Sequence, residues 1–173
     1  MENIKVLIDE NTLYKRISEM ADEISNEYKG EEVILVGVLK GAVYFTVELS
    51  KHIKDVSVIM DFIKVSSYGI GARETSGKID FKLDISQNIE NKNVIIVEDI
   101  IDSGTTLKFL REYLETKHPK TLKICTLLDK PERRIHQVEV DYTGFEIENK
   151  FVVGFGLDAD EKYRNLNYIG YIE

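Results

Sequence analysis

Apolar residues gather along this chain in short runs, at 33–38, 56–65, 94–101, 122–128 and 151–155, and between several of these runs they recur at helical spacing instead. Each run has the length of a strand. Val94, Ile95, Ile96 and Val97 lack polar alternation, the pattern of a strand covered on both faces of a parallel sheet. Leu13, Ile17, Met20, Ala21, Ile24 and Tyr28 fall three and four apart and predict a helix, with Asn11 or Thr12 placed to cap it. Val43, Val47 and Ile53 predict a second helix after Gly41. Leu107, Leu110 and Leu114 predict a third, stopping near His118 and Pro119. Strands alternating with helices make the expected fold α/β, a mainly parallel central sheet flanked by helices, and in such sheets ligands bind beyond the carboxyl ends of the strands.

The chemistry concentrates at one of those ends. After the run from Val94 the chain reads EDIIDSGTT, three acids followed by a hydroxyl-rich turn and the start of a helix. Ser103, Gly104, Thr105 and Thr106 offer hydroxyls and backbone N–H groups where a helix dipole favours phosphate. Glu98, Asp99 and Asp102 would repel a phosphate bound alone, so the ligand must also bring hydroxyl donors, a divalent metal or a proton to be taken. A sugar phosphate with a metal-bound leaving group meets all three demands. Capping alone would account for one of these acids and not the cluster. Neither a Walker GxxxxGK[ST] loop nor a complete GxGxxG fingerprint occurs, and there is no GxSxG elbow. His52, His118 and His136 form no HxxxH or HExxH spacing and read as surface residues.

Composition narrows the setting. With 173 residues and 43% hydrophobic content the chain suits a single domain with an ordinary core. A net charge of −8 argues against a non-specific nucleic-acid binder, and the polar N-terminus argues against a secretory signal or a membrane span. Cys125 is the one cysteine, set in an apolar run, and reads as a buried inert thiol in a reducing compartment, so a cytoplasmic protein is expected. Residues 66–80 hold three glycines and few apolar anchors, which predicts a mobile lid or a long hairpin connection.

From about Val33 to its end the chain resembles the phosphoribosyltransferases that bind 5-phosphoribosyl 1-pyrophosphate (PRPP), and among them the hypoxanthine-guanine group. The motifs that carry the resemblance are EDIIDSGTT, GVLKGAVYF, LLDKP and the C-terminal FVVGFGLDADEKYR. It implies the type I phosphoribosyltransferase fold, with a small hood built from the N- and C-terminal segments, and a 151–173 segment that binds purine and pyrophosphate. It further implies that Glu98 and Asp99 serve the ribose hydroxyls and Mg2+, that Asp102 accepts the purine ring proton, and that 103–106 hold the 5′-phosphate. Lys40 and Gly41 would meet the pyrophosphate through an unusual backbone conformation just before the lysine, with Arg164 as a further pyrophosphate ligand. Lys130 would donate to the 6-oxo group, Phe151 would stack on the purine and Val152 would face its 2-position. Asp158 would lie by purine and metal, and Ser67 and Tyr68 would fold over the site. The implied reaction converts hypoxanthine or guanine and PRPP to IMP or GMP and pyrophosphate, in a homodimer or homotetramer. An enzyme for another base, such as xanthine or adenine, and a nucleotide-sensing RNA-binding regulator are the competing readings.

Overall fold

The computed structural model describes residues 3–66 and 80–172. In chain order the elements are β1 (Ile4–Ile8), α1 (Glu10–Glu27), β2 (Glu32–Val38), α2 (Val43–His52), β3 (Ser57–Val65), β4 (Phe81–Leu83), β5 (Asn93–Ile101), α3 (Thr105–Glu115), β6 (Thr121–Asp129), β7 (Tyr142–Glu146), β8 (Val152–Val153) and β9 (Ile169–Ile172). A six-stranded sheet runs β4-β3-β2-β5-β6-β7, with β4 antiparallel at its edge and the rest parallel. The unalternated apolar strands are explained by helices on both faces. Val33 and Leu35 of β2, with Ile95 and Val97 of β5, pack toward α1 and α2. Their neighbours Ile34, Val36, Val94 and Ile96 pack with Leu107, Leu110 and Leu114 of α3.

From β2 the chain crosses through α2 to β3 on one side, and from β5 it crosses through α3 to β6 on the other. The carboxyl ends of β2 and β5 therefore diverge at the sheet's topological switch point, where a ligand crevice is expected. A second sheet, β1-β9-β8, is antiparallel, with Ile4 opposite Ile172 and Val152 opposite Tyr171. Its Ile8, Val152 and Ile169 join the core beneath α1 and α2.

Three sequence expectations need correction. Helix α1 is capped by Asp9, whose Oδ1 accepts the Thr12 N–H at 3.0 Å, so Asn11 and Thr12 lie inside the first turn. Helix α2 buries Phe45, Thr46 and Leu49, not the Val43 and Val47 stripe. This helix is apolar on two sides and the side bearing the bulkier Phe45 goes inward. The apolar run at 151–155 yields only the two-residue strand β8, because Gly154 and Phe155 take left-handed backbone angles of 97° and 48° and turn the chain away. Beyond these, β3 and β4 pair antiparallel, with Ser66 donating its N–H to the Asp80 carbonyl at 3.0 Å. The expected lid residues Ser67 and Tyr68 lie outside the described residues.

Candidate active site

The ends of β2 and β5 and the start of α3 enclose a cavity of about 290 Å³, lined by Leu39, Gly41, Glu98, Asp99, Asp102, Ser103, Gly104 and Thr106 among others. Gly104 takes a left-handed φ of 80°, and a Cβ there would stand 2.5 Å from the His136 carbonyl. Only glycine makes this turn. The Ser103 carbonyl accepts the N–H groups of Ile135 and His136 at 2.9 and 3.0 Å, which ties the loop to the segment after β6. Ser103 Oγ accepts the Thr105 N–H at 3.2 Å and donates to Thr105 Oγ1 at 2.9 Å. The loop thus holds hydroxyls and first-turn N–H groups against one another, in the arrangement an anion can enter.

Glu98 and Asp99 sit at the floor. Glu98 is 7% exposed, and its carboxylate accepts the Asp99 N–H at 3.1 Å. Burial raises both carboxyls above their ordinary range, and the neighbouring Asp99 charge pushes Glu98 further. Arg164 acts on Asp99 in the opposite direction without forming an ion pair with it. Two desolvated acids that pair with no base among the described residues suit hydroxyl donors and a divalent cation. Among the described residues no three acid, His or Cys side chains converge as a cage. Mg2+ held here would draw most of its ligands from phosphate and water, as Mg2+ commonly does.

Gly41 lies under the acids so closely that a Cβ would fall 1.7 Å from Asp99 Oδ2, and the Leu39–Lys40 peptide before it is cis. Gly156 in turn packs on Gly41, where a Cβ would meet the Gly41 carbonyl at 2.0 Å. This contact brings in the C-terminal charges. Arg164 donates from Nη1 to the Gly156 carbonyl at 2.6 Å and from Nη2 to Glu161 at 3.3 Å, and the same Nη2 forms an ion pair with Asp158 at 3.0 Å. Lys40 Nζ meets the same Glu161 carboxylate at 2.9 Å.

Just after β6, Lys130 is 7% exposed and its backbone N–H is donated to the Ile101 carbonyl at 2.9 Å, which fixes the end of β6 against the end of β5. Burial lowers the pKa of its ammonium, and the Asp102 charge opposes that shift. Asp102 Oδ1 accepts a hydrogen bond from Arg133 Nε at 2.9 Å, while Arg134 pairs with Asp129. Phe151 is exposed and Val152 beside it is buried in β8.

A model of the phosphoribosyl transferase domain matches residues 5–160. The chain belongs to the phosphoribosyltransferase family. Hypoxanthine-guanine phosphoribosyltransferases of Streptococcus pneumoniae strain R6 and Streptococcus pyogenes serotype M3 are 47% and 44% identical over 169 residues, 98% of this chain and 93% of each relative. A crystal structure of the hypoxanthine-guanine phosphoribosyltransferase of Bacillus anthracis superposes with a TM-score of 0.92 at 48% identity, covering 99% of this chain and 100% of that one. The six-stranded sheet is accordingly that of a type I phosphoribosyltransferase.

Within this phosphoribosyltransferase most of the sequence-predicted residues fall into two groups, with Thr105, Lys130, Phe151 and Val152 outside both. Glu98, Asp99, Asp102, Ser103, Gly104, Thr106 and Gly41 share the cavity. Lys40, Asp158 and Arg164 share the charged network beside it. Two participants were missed by sequence reasoning. Glu161 was hidden in a charged turn, although its spacing of three from both Asp158 and Arg164 is a usable signal, and Arg133 meets Asp102 only through the fold.

Proposed function

We propose that this phosphoribosyltransferase serves purine salvage, joining hypoxanthine or guanine to the phosphoribosyl group of PRPP to give IMP or GMP and pyrophosphate. The observation that carries this reading is the buried Lys130 at the end of β6, whose ammonium feels the opposing charge of Asp102. A 6-oxopurine needs a donor for its carbonyl and an acceptor for its ring N–H, and the pair supplies both. The 6-amino group of adenine would meet a donor-only ammonium and leave it unpaired. The names of relatives at 44–48% identity support the same substrate class.

The remaining roles follow from chemistry. Residues 103–106 bind the 5′-phosphate with hydroxyls and backbone N–H groups at the start of α3. Glu98 and Asp99 accept from the ribose hydroxyls and hold Mg2+, with Asp158 on the pyrophosphate side. Bound Mg2+ supplies charge neutralisation for the departing pyrophosphate. Lys40, the Gly41 backbone and Arg164 bind that pyrophosphate. Phe151 stacks on the purine, and Val152 presents backbone to its 2-position. As the purine nitrogen bonds to the anomeric carbon and the bond to pyrophosphate breaks, Asp102 takes the ring proton. Its Oδ1 is held by Arg133 Nε at 2.9 Å.

The enzyme is assigned as a homodimer or homotetramer in the cytoplasm. Supporting the assembly, Tyr44 and Val47 on the outer stripe of α2 join Tyr14 and Phe155 around an apolar groove of about 330 Å³. Analytical ultracentrifugation returning a 19.9 kDa species at micromolar concentration would remove that assignment.

A pyrophosphate-release assay with hypoxanthine, guanine, xanthine and adenine, with and without PRPP and magnesium, tests the function. Release is expected with the first two, none with adenine, and a loss of rate with chelator. Asp102→Asn should lower turnover by about 100- to 10,000-fold, the usual worth of a general base. Lys130→Ala should cut kcat/KM for hypoxanthine at least about tenfold while narrowing the gap to adenine. Preference for adenine in the unaltered protein would sink the reading.

A further inference from the structure

Glu161 occupies an unusual backbone position for the work its side chain does. Ala159 and Lys162 exchange hydrogen bonds of 3.2 and 3.0 Å across a two-residue turn, and the central residues Asp160 and Glu161 have φ of 51° and 64°. Such a primed turn favours Asn-Gly or Asp-Gly, and a glutamate at its second position carries a steric cost that glycine would avoid. A sterically costly residue of this kind points toward a role for its side chain.

That side chain bridges Lys40 at 2.9 Å and Arg164 at 3.3 Å, which belong to segments far apart in sequence. The turn is tied to the network through the Glu161 N–H, donated to Asp158 Oδ2 at 2.8 Å, and Arg164 is tied through the Gly156 carbonyl. Glu161 itself is 64% exposed, so its carboxylate can leave for water at little cost. A diphosphate brings more negative charge and more oxygens than one carboxylate, and it would compete for the same two cations.

We propose that Glu161 is an internal anion that competes with the diphosphate of PRPP and pyrophosphate for Lys40 and Arg164. It keeps the two cations within one anion's span, yields them to the ligand, and returns to help expel pyrophosphate after transfer. The inference rests on the reading that Lys40 and Arg164 bind pyrophosphate.

The test is calorimetric titration of the full protein with magnesium pyrophosphate, paired with KM values for PRPP and hypoxanthine. Glu161→Gln, and Glu161→Gly, which also suits the left-handed turn, should each tighten pyrophosphate and lower the PRPP KM about two- to fivefold, the range of an exposed ion pair. The hypoxanthine KM should stay unchanged. In a Lys40→Ala background the gain from Glu161→Gln should shrink. Unchanged or weaker pyrophosphate binding in both Glu161 variants, with Arg164→Ala still losing it, would overturn the inference and leave the site assignment standing. If Arg164→Ala binds pyrophosphate as well as the unaltered protein, the site assignment fails and the inference with it.

Discussion

Glu98 and Asp99 are held in their folded positions against their own electrostatics. Both carboxyls are raised by burial, so the folded protein retains protons that the unfolded chain releases. By linkage, stability falls as pH rises from the ordinary carboxyl value of 4.5 for Glu98 toward its raised folded value, and it stays reduced above that. Glu98→Gln should therefore raise Tm at pH 7.5, where about 1 kcal/mol corresponds to roughly 2–4 °C in a chain of this size, with the gain vanishing near pH 4. The same variant should lose affinity for magnesium-bound PRPP. A calorimetric Tm at pH 7.5 no higher than that of the unaltered protein would show that the buried acid is not a liability. The acids' conflict with phosphate was legible in the sequence, because the three acids and the SGTT turn are contiguous, whereas the burial of Glu98 was not. Lys40 with Glu161 was not legible. Their partnership spans 121 positions, and Asp102 with Arg133 spans 31, so both depend on how distant elements are brought together.

At the scale of elements, the parallel strands β2, β3, β5 and β6 could be read from apolar runs because each is flanked on both sides by other strands, and β2 and β5 are packed on both faces. Strands β1, β4, β7 and β9 could not. They are edge strands or members of the small sheet, part-exposed, and they owe their conformation to a partner as much as to their own residues. Two local backbone devices also separate in their consequences. Asp9→Ala removes the cap of α1 far from the cavity and should cost about 1 kcal/mol of stability with activity retained. Gly156→Ala should do more harm to function than to fold. Its φ of 101° and the 2.0 Å approach to the Gly41 carbonyl mean that an added methyl must push the C-terminal loop away from β2, carrying Arg164 with it. A PRPP KM unchanged in Gly156→Ala would show that this contact does not position the charged network.

For the whole molecule, the proposed function divides the substrate between the two sheets. The large sheet's carboxyl ends present the SGTT loop and the acids, while Phe151 and Val152 stand at the start of the small sheet's β8, where the proposal puts the base. Strand β8 is only two residues long and pairs with β9, which is sandwiched between β8 and β1. A two-stranded remnant of that length is marginal without its third strand. Removing residues 1–7 takes away the pairings of Ile4 with Ile172, Lys5 with Tyr171 and Val6 with Gly170. The hypoxanthine KM should then rise about tenfold, equivalent to about 1.4 kcal/mol of lost binding, while the PRPP KM moves by less than about threefold. Cys125, buried under α1 in the main core, should stay unreactive toward a thiol reagent in the truncated protein, which separates local loosening of the small sheet from general unfolding. Parallel rises in both KM values, with Cys125 still protected, would mean that β1 supports the phosphoribosyl half as well, through the contact of Gly156 with Gly41.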